Sequence, residues 1–172
     1  KGLENLANEL LLQNGARIDF SKYINRQKDV NNRDDALDGA RDIIAEIISE
    51  DPELRKHLRQ AFSDHAKITS KVIKTKVDEA QKFRDYFDLS EKISRIRSHR
   101  LLAILRGEQE KLLRVSIRPD EEITLRSVTR KYVKGRGFSS DQVTHACKDA
   151  YKRLLVPSLE KETLKLAKEK AD

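Results

Sequence analysis

Apolar residues recur at Ala36, Leu37, Ala40, Ile43, Ile44, Ile47 and Ile48, spaced by three and four through successive turns. Only an α-helix gathers such positions onto one side, so this stretch is a core helix and the fold is built around it. Asn31 to Asp34 supply N-cap candidates for it. Asp51-Pro52-Glu53 then restarts the pattern, with Asp51 suited to the N-cap and Pro52 to the first turn, where a missing N–H costs nothing. Leu54, Leu58, Ala61 and Phe62 form the buried face of that next helix. So short a link predicts an αα-hairpin.

The same spacing extends along most of the chain. Leu3, Leu6, Ala7, Leu10 and Leu11 predict a short first helix ending at Asn14-Gly15, a glycine stop. Residues 16–33 are irregular, with Ile18, Phe20, Tyr23 and Ile24 as anchors. Residues 68–77 fit neither period and leave extended backbone open, whereas 78–87 reads as a helix burying Ala80, Phe83 and Phe87. Ser98 is the expected N-cap of a helix through Leu101, Leu102, Ile104 and Leu105 that Gly107 ends. Leu112 to Ile117 alternates weakly up to Pro119 and is the one strand expected. A helix from Asp120 carries Leu125, Val128 and Tyr132 inside and ends in Lys134-Gly135-Arg136-Gly137. Ser139-Ser140-Asp141 caps another, with Val143, Ala146, Cys147, Ala150, Tyr151, Leu154 and Leu155 inward, and Pro157-Ser158 breaks it before a last helix bearing Leu159, Leu164 and Ala167. The expected fold is all-α, an irregular multi-helix bundle with at most one short strand or hairpin. Six glycines and three prolines agree, being too few for a turn-rich β-fold. Its expected parts are an acidic hairpin over 1–66, a basic centre over 67–118 and C-terminal helices over 119–172.

Charge is unevenly placed. Residues 67–106 hold eleven Lys/Arg against five Asp/Glu (+6), residues 1–66 ten against thirteen (−3) and residues 107–172 fifteen against eleven (+4), which sum to the net +7. Lys82-Phe83-Arg84-Asp85-Tyr86-Phe87 and Arg95-Ile96-Arg97-Ser98-His99-Arg100 interleave cations with aromatic or imidazole rings, a pattern able to hold phosphates and offer rings to bases. Arg95, Arg97, His99 and Arg100 flank an expected helix start, where backbone N–H groups add to the cations. The alternative is a solvated basic face whose arginines pair with Asp85, Asp88 or Glu91.

Reactive constellations are missing from the pattern. His57, His65, His99 and His145 lack metal-ligand spacing, Cys147 lies on an apolar stripe, and the carboxylates cluster at expected helix starts, where the macrodipole explains them. No enzyme activity, cofactor or metal is expected. No apolar run reaches bilayer length and no signal-peptide pattern occurs, so no membrane partner is expected, and one cysteine fits a reducing cytoplasm. The chain starts at Lys1 and holds no methionine, so an internal fragment of something longer is expected, the alternative being a sequence from which methionine positions have been lost.

Five blocks resemble the N-terminal part of the Tex family of bacterial transcription accessory proteins. They are Ala36 to Glu46, Ser70-Lys71-Val72-Ile73, Lys82 to Phe87, Ser98 to Glu108, and Asp149 to Glu160. The resemblance implies a helical region of a larger chain whose later parts are a ribonuclease-H-like domain, helix-hairpin-helix motifs and an RNA-binding S1 domain, none of which lies in this sequence. It implies as partners nucleic acid, RNA or DNA without sequence preference, the remaining domains of the full-length chain, and the transcription machinery. The combined expectation is a non-catalytic helical scaffold that contacts nucleic acid. Arg95, Arg97, His99, Arg100 and Arg106 are the leading phosphate contacts, and Lys71, Lys74, Lys76, Lys82 and Arg84 form a second group. The competing expectation is a protein-interaction or structural module.

Overall fold

The computed structural model describes residues 2–171. The chain divides into two compact units, one of residues 1–55 with 125–155 and the other of residues 56–124 with 156–172.

The first unit contains α1 (Glu4–Leu12), α2 (Arg33–Ser49), most of α5 (Glu121–Tyr132), α6 (Phe138–Asp149) and a π-helical segment, Ala150–Leu155. Its core joins Leu6 and Leu10 to Ala40, Ile44 and Ile48, and to Val143, Ala146, Cys147 and Tyr151, all at 2% exposure or less. The predicted stripe on α2 is the inner one apart from Ile47, which is 42% exposed. Asn32 caps α2, its side chain accepting from Asp35 N–H at 2.9 Å. α1 stops one step before the expected place. Gln13 takes the left-handed conformation (φ 49°), and its amide donates to Tyr132 O at 2.8 Å and accepts from Lys134 N–H at 2.6 Å. That pair of bonds satisfies groups at the end of α5, and Gln13 shares the turn with Gly15, which is also left-handed (φ 74°). α6 starts at Phe138, not at a Ser139-Ser140-Asp141 cap. Gly137 precedes it at φ 128°, a conformation open to glycine, and the buried Ser140 hydroxyl instead donates to Lys134 O. Pro157 breaks nothing either. It enters the first turn of α7 (Val156–Ala171), directly after the π segment, whose wider turn relieves the clash a proline ring makes with the carbonyl four residues back.

The second unit holds most of α3 (Pro52–His65), a three-stranded antiparallel sheet, α4 (Ser98–Gln109) and α7. The expected αα-hairpin is thereby divided, since α2 belongs to the first unit and α3 beyond residue 55 to the second. Pro52 opens α3 as predicted, with Asp51 accepting from the N–H groups of Glu53 and Leu54 at 3.1 and 3.2 Å. Strands β1 (Lys67–Val72), β2 (Asp88–Lys92) and β3 (Leu113–Arg118) lie in the order β2-β1-β3. The fold is therefore mostly helical, with more sheet than one strand or hairpin. β1 escapes the period-two test because its inner face reads Ile68, Ser70, Val72. Ser70 is fully buried, satisfied by donating its hydroxyl to Tyr86 O at 2.7 Å.

Residues 78–87 are not an α-helix. A 3₁₀ turn, Gln81–Tyr86, follows another at Lys74–Lys76, and Ala80 and Phe83 pack with Leu112 and Leu113, with Phe87 partly buried beside them. Gly107 does not end α4. It is buried within the helix, where an added Cβ would stand 2.7 Å from Leu113 Cγ and nearer still to Cδ1. The helix ends instead with Lys111 left-handed (φ 60°), Lys111 N–H bonding Glu108 O and Leu112 N–H bonding Gly107 O, both at 2.9 Å. This is the Schellman arrangement with lysine in the glycine position. Glu160 of α7 accepts Ile117 N–H at 2.8 Å and closes part of the β3 edge.

Candidate nucleic-acid interface

Between β2 and α4 the chain turns tightly. Ile93 is buried and donates to Ala66 O at 2.9 Å, while Arg95 and Ile96 N–H both reach Lys92 O, at 3.0 and 3.1 Å. Leu101, at 2% exposure, fixes the other side. Pinned at both ends, the turn holds Arg95 and Arg97 in solvent, and His99 follows on the exposed side of α4. Ser98 is the first helical residue rather than the cap. Arg97 occupies the cap position without a side-chain bond, which leaves the N–H groups of Ser98 and His99 uncapped, while Arg100 N–H bonds Arg97 O at 3.1 Å. Arg100 is held back by Glu91, Nη1 to Oε2 3.2 Å.

The other predicted cations are elsewhere. Arg106 and Lys82 converge on Glu110 (4.0 and 2.8 Å) at the far end of α4, and Lys82 also lies over the Phe83 ring. Lys76 pairs with Glu79 at 3.7 Å. Lys74 and Arg84 are exposed on the 3₁₀ turns, and Lys71 is exposed on β1. The ten predicted residues thus do not form one face. The turns that carry Lys82 and Arg84 pack on the inner side of the sheet, the side of Ser70 and Leu113, whereas Lys71 projects from the outer side.

What sequence reasoning missed lies beside Lys71. Residues opposite one another across strands share a face. The register therefore sets Lys67, Lys92 and Arg118 in one row, and Lys71, Arg114 and Asp88 in another. A signal was available. Lys67-Ile68-Thr69-Ser70-Lys71 and Arg114-Val115-Ser116-Ile117-Arg118 share a cation, hydroxyl, cation pattern at alternate positions, legible only once both segments are recognised as strands.

Of the eleven cations in 67–106, Lys76, Lys82, Arg100 and Arg106 have ionic partners. Among the described residues, Lys67, Lys71, Lys74, Arg84, Lys92, Arg95 and Arg97 have none. Groups that could react are placed differently. Cys147 is fully buried, and burial pushes its thiol up to about 12, away from thiolate chemistry. His57 and His65 on α3, His99 on α4 and His145 on α6 are exposed. No helix of the described residues is long and apolar enough to cross a membrane.

These features define a mostly helical protein region with a small cation-bearing sheet, its exterior dominated by charge. The family model described as Tex central region-like matches residues 16–172, and the chain belongs to the Tex family. YdcI of Bacillus subtilis, described as uncharacterized, is 35% identical over 100% of this chain and 25% of its own length. The transcriptional accessory protein Tex of Neisseria gonorrhoeae is 33% identical over 99% of this chain and 23% of its own. Protein tex of Bordetella pertussis is 36% identical over 70% of this chain and 16% of its own. The chain therefore spans a quarter or less of the length of these curated relatives.

Proposed function

We propose that this chain is the non-catalytic, nucleic-acid-contacting part of a cytoplasmic, Tex-like transcription accessory protein. The observation that carries the reading is the set of seven cations in residues 67–106 without ionic partners among the described residues. A surface evolved only for solubility mixes signs. Of the pairs that the solvated-face alternative named, Arg100 makes one, with Glu91 at 3.2 Å, while Arg95 and Arg97 pair with none of Asp85, Asp88 and Glu91 among the described residues. Arg95 and Arg97, held beside the uncapped N–H groups of Ser98 and His99, suit a phosphate oxygen. The name of the Neisseria gonorrhoeae relative supplies the transcriptional setting.

Fluorescence anisotropy with labelled single-stranded RNA and duplex DNA at low and moderate salt is the direct test. Salt-sensitive binding that Arg95→Glu with Arg97→Glu weakens, at unchanged helicity, is the expected result. Absence of binding by the unaltered chain at low salt overturns the reading.

A second reading, a protein-interaction module, has its own observation. A cleft of about 490 Å³ in the second unit is lined by Ile93, Ile96, Leu101, Leu166 and Ala167, with Leu166 53% exposed. An unaltered chain that binds no nucleic acid leaves this reading in place.

A further inference from the structure

From the sheet register we infer a second binding surface, the outer face of β2-β1-β3, and assign it the phosphodiester backbone of nucleic acid. The inference rests on the nucleic-acid reading above and names residues outside the α4 turn. Nine side chains make up this face. Lys92, Lys67 and Arg118 form one end row, Ser90, Thr69 and Ser116 the middle row, and Asp88, Lys71 and Arg114 the other end row. None is apolar and none is aromatic. Five are cations and one is a carboxylate.

Folding does not explain the arrangement. Like charges directly opposite one another on a sheet destabilise it, and Lys92, Lys67 and Arg118 are three in a row. Arg118 has a partial outlet through Glu160 at 3.4 Å. Lys67, Lys71, Lys92 and Arg114 have no ion pair among the described residues, and Lys71 makes none with Asp88 opposite it. Lys67, Lys71, Arg114 and Arg118 are all exposed. A polyanion relieves the repulsion.

Spacing and chemistry select the kind of polyanion. Neighbouring strands stand about 5 Å apart and the two end rows about 13 Å apart, so the face is a flat pad for several anionic groups, too open for one small ligand. The hydroxyl row between them supplies donors of the sort that hold phosphate oxygens beside Lys and Arg. With no ring to stack a base, the face reads no sequence and does not favour unpaired bases. Charge density then decides, and it favours a duplex over a single strand.

The test is a comparison of variants of the 172-residue chain by fluorescence anisotropy, with labelled duplex DNA, single-stranded RNA and polyglutamate of matched charge. Lys67→Gln, Lys71→Gln and Arg114→Gln together are expected to weaken duplex binding about tenfold or more and to reduce the slope of log affinity against log salt by about 3. Lys67→Arg, Lys71→Arg and Arg114→Lys together keep the charge and are expected to keep the affinity, which separates lost contacts from lost folding. Lys28→Gln, Lys56→Gln and Lys148→Gln remove the same charge from exposed positions elsewhere and are expected to have little effect. The inference is sustained if the loss is specific to the face, whether the probe affected is duplex or single strand. It is overturned if the face variant binds like the unaltered chain, if the control set weakens binding equally, or if polyglutamate binds the face as tightly as DNA. Loss confined to Arg95→Glu with Arg97→Glu overturns this inference and leaves the proposed function standing. No binding by the unaltered chain overturns both.

Discussion

Asp51 shows how much one side chain can do. Its Oδ1 caps α3, while Oδ2 accepts from the Tyr132 hydroxyl at 2.5 Å and from Lys131 Nζ at 2.6 Å. Burial alone would raise its pKa, but the bonds from Lys131, Tyr132 and Leu54 N–H outweigh it and hold the carboxyl at about 2. Burial and the same carboxylate hold the Tyr132 phenol above its usual range, so it stays a donor. A carboxyl depressed in the folded state contributes stability that is complete above its unfolded value, near 4, and is lost as pH falls toward 2. Urea unfolding should therefore show stability declining from about pH 5 to pH 2, and Asp51→Asn should flatten that decline while lowering stability at pH 7. Tyr132→Phe should cost about 1–2 kcal/mol at pH 7, since a largely shielded charge loses one of its donors. A Tyr132→Phe chain as stable as the parent would show that the bond contributes nothing net.

At the scale of the element, helices with unbroken stripes were legible in the sequence, whereas of the three strands only β3 was, through the alternation from Leu112 to Ile117. α2 and α6 announced themselves because their apolar positions recur every three or four residues, and Asn32 and Pro52 marked real starts. β1 hid because its inner face includes Ser70, which interrupts the alternation of apolar with polar residues. Gly107, Ser98 and Pro157 misled for one reason. Each has a local meaning that packing overrode. Gly107 is small because β3 passes close to α4, a fact stored in Leu113, six residues away. The predicted cations were individually sound surface residues, but their grouping needed strand register, which no local window supplies. Gly107→Ala should accordingly destabilise by about 1–3 kcal/mol despite alanine's better helix propensity, as overpacking forces Leu113 off its position. The double change Gly107→Ala with Leu113→Ala should recover none of the lost core burial but relieve the clash. The two costs should therefore combine to less than their sum in denaturant melts. A neutral or stabilising Gly107→Ala would show that Leu113 gives way without cost and that the close approach does not require glycine.

For the whole molecule, the decisive fact is that neither unit is continuous in sequence. The chain leaves the first unit after residue 55, builds the sheet and α4, goes back at residue 125, and returns to the second unit at residue 156. The second unit therefore depends on a helix encoded more than thirty residues after the rest of it. α7 supplies Val156 and Leu159, at 3% and 0% exposure, and the Glu160 carboxylate that takes up Ile117 N–H. A chain of residues 56–124 retains every strand yet lacks these groups. Removing one fully buried leucine to alanine typically costs about 2–5 kcal/mol, a large part of a small unit's stability, and here a whole packed helix face is missing. Such a chain should show no cooperative thermal transition by circular dichroism, and its strand amides should exchange rapidly, while the 172-residue chain melts cooperatively with those amides protected. The same dependence ties the basic sheet to α7. Anything that loosens α7 should loosen β3, and Arg114 and Arg118 with it. If residues 56–124 alone melt cooperatively near the temperature of the full chain, the sheet and its cations form an autonomous element, and α7 is an accessory to it.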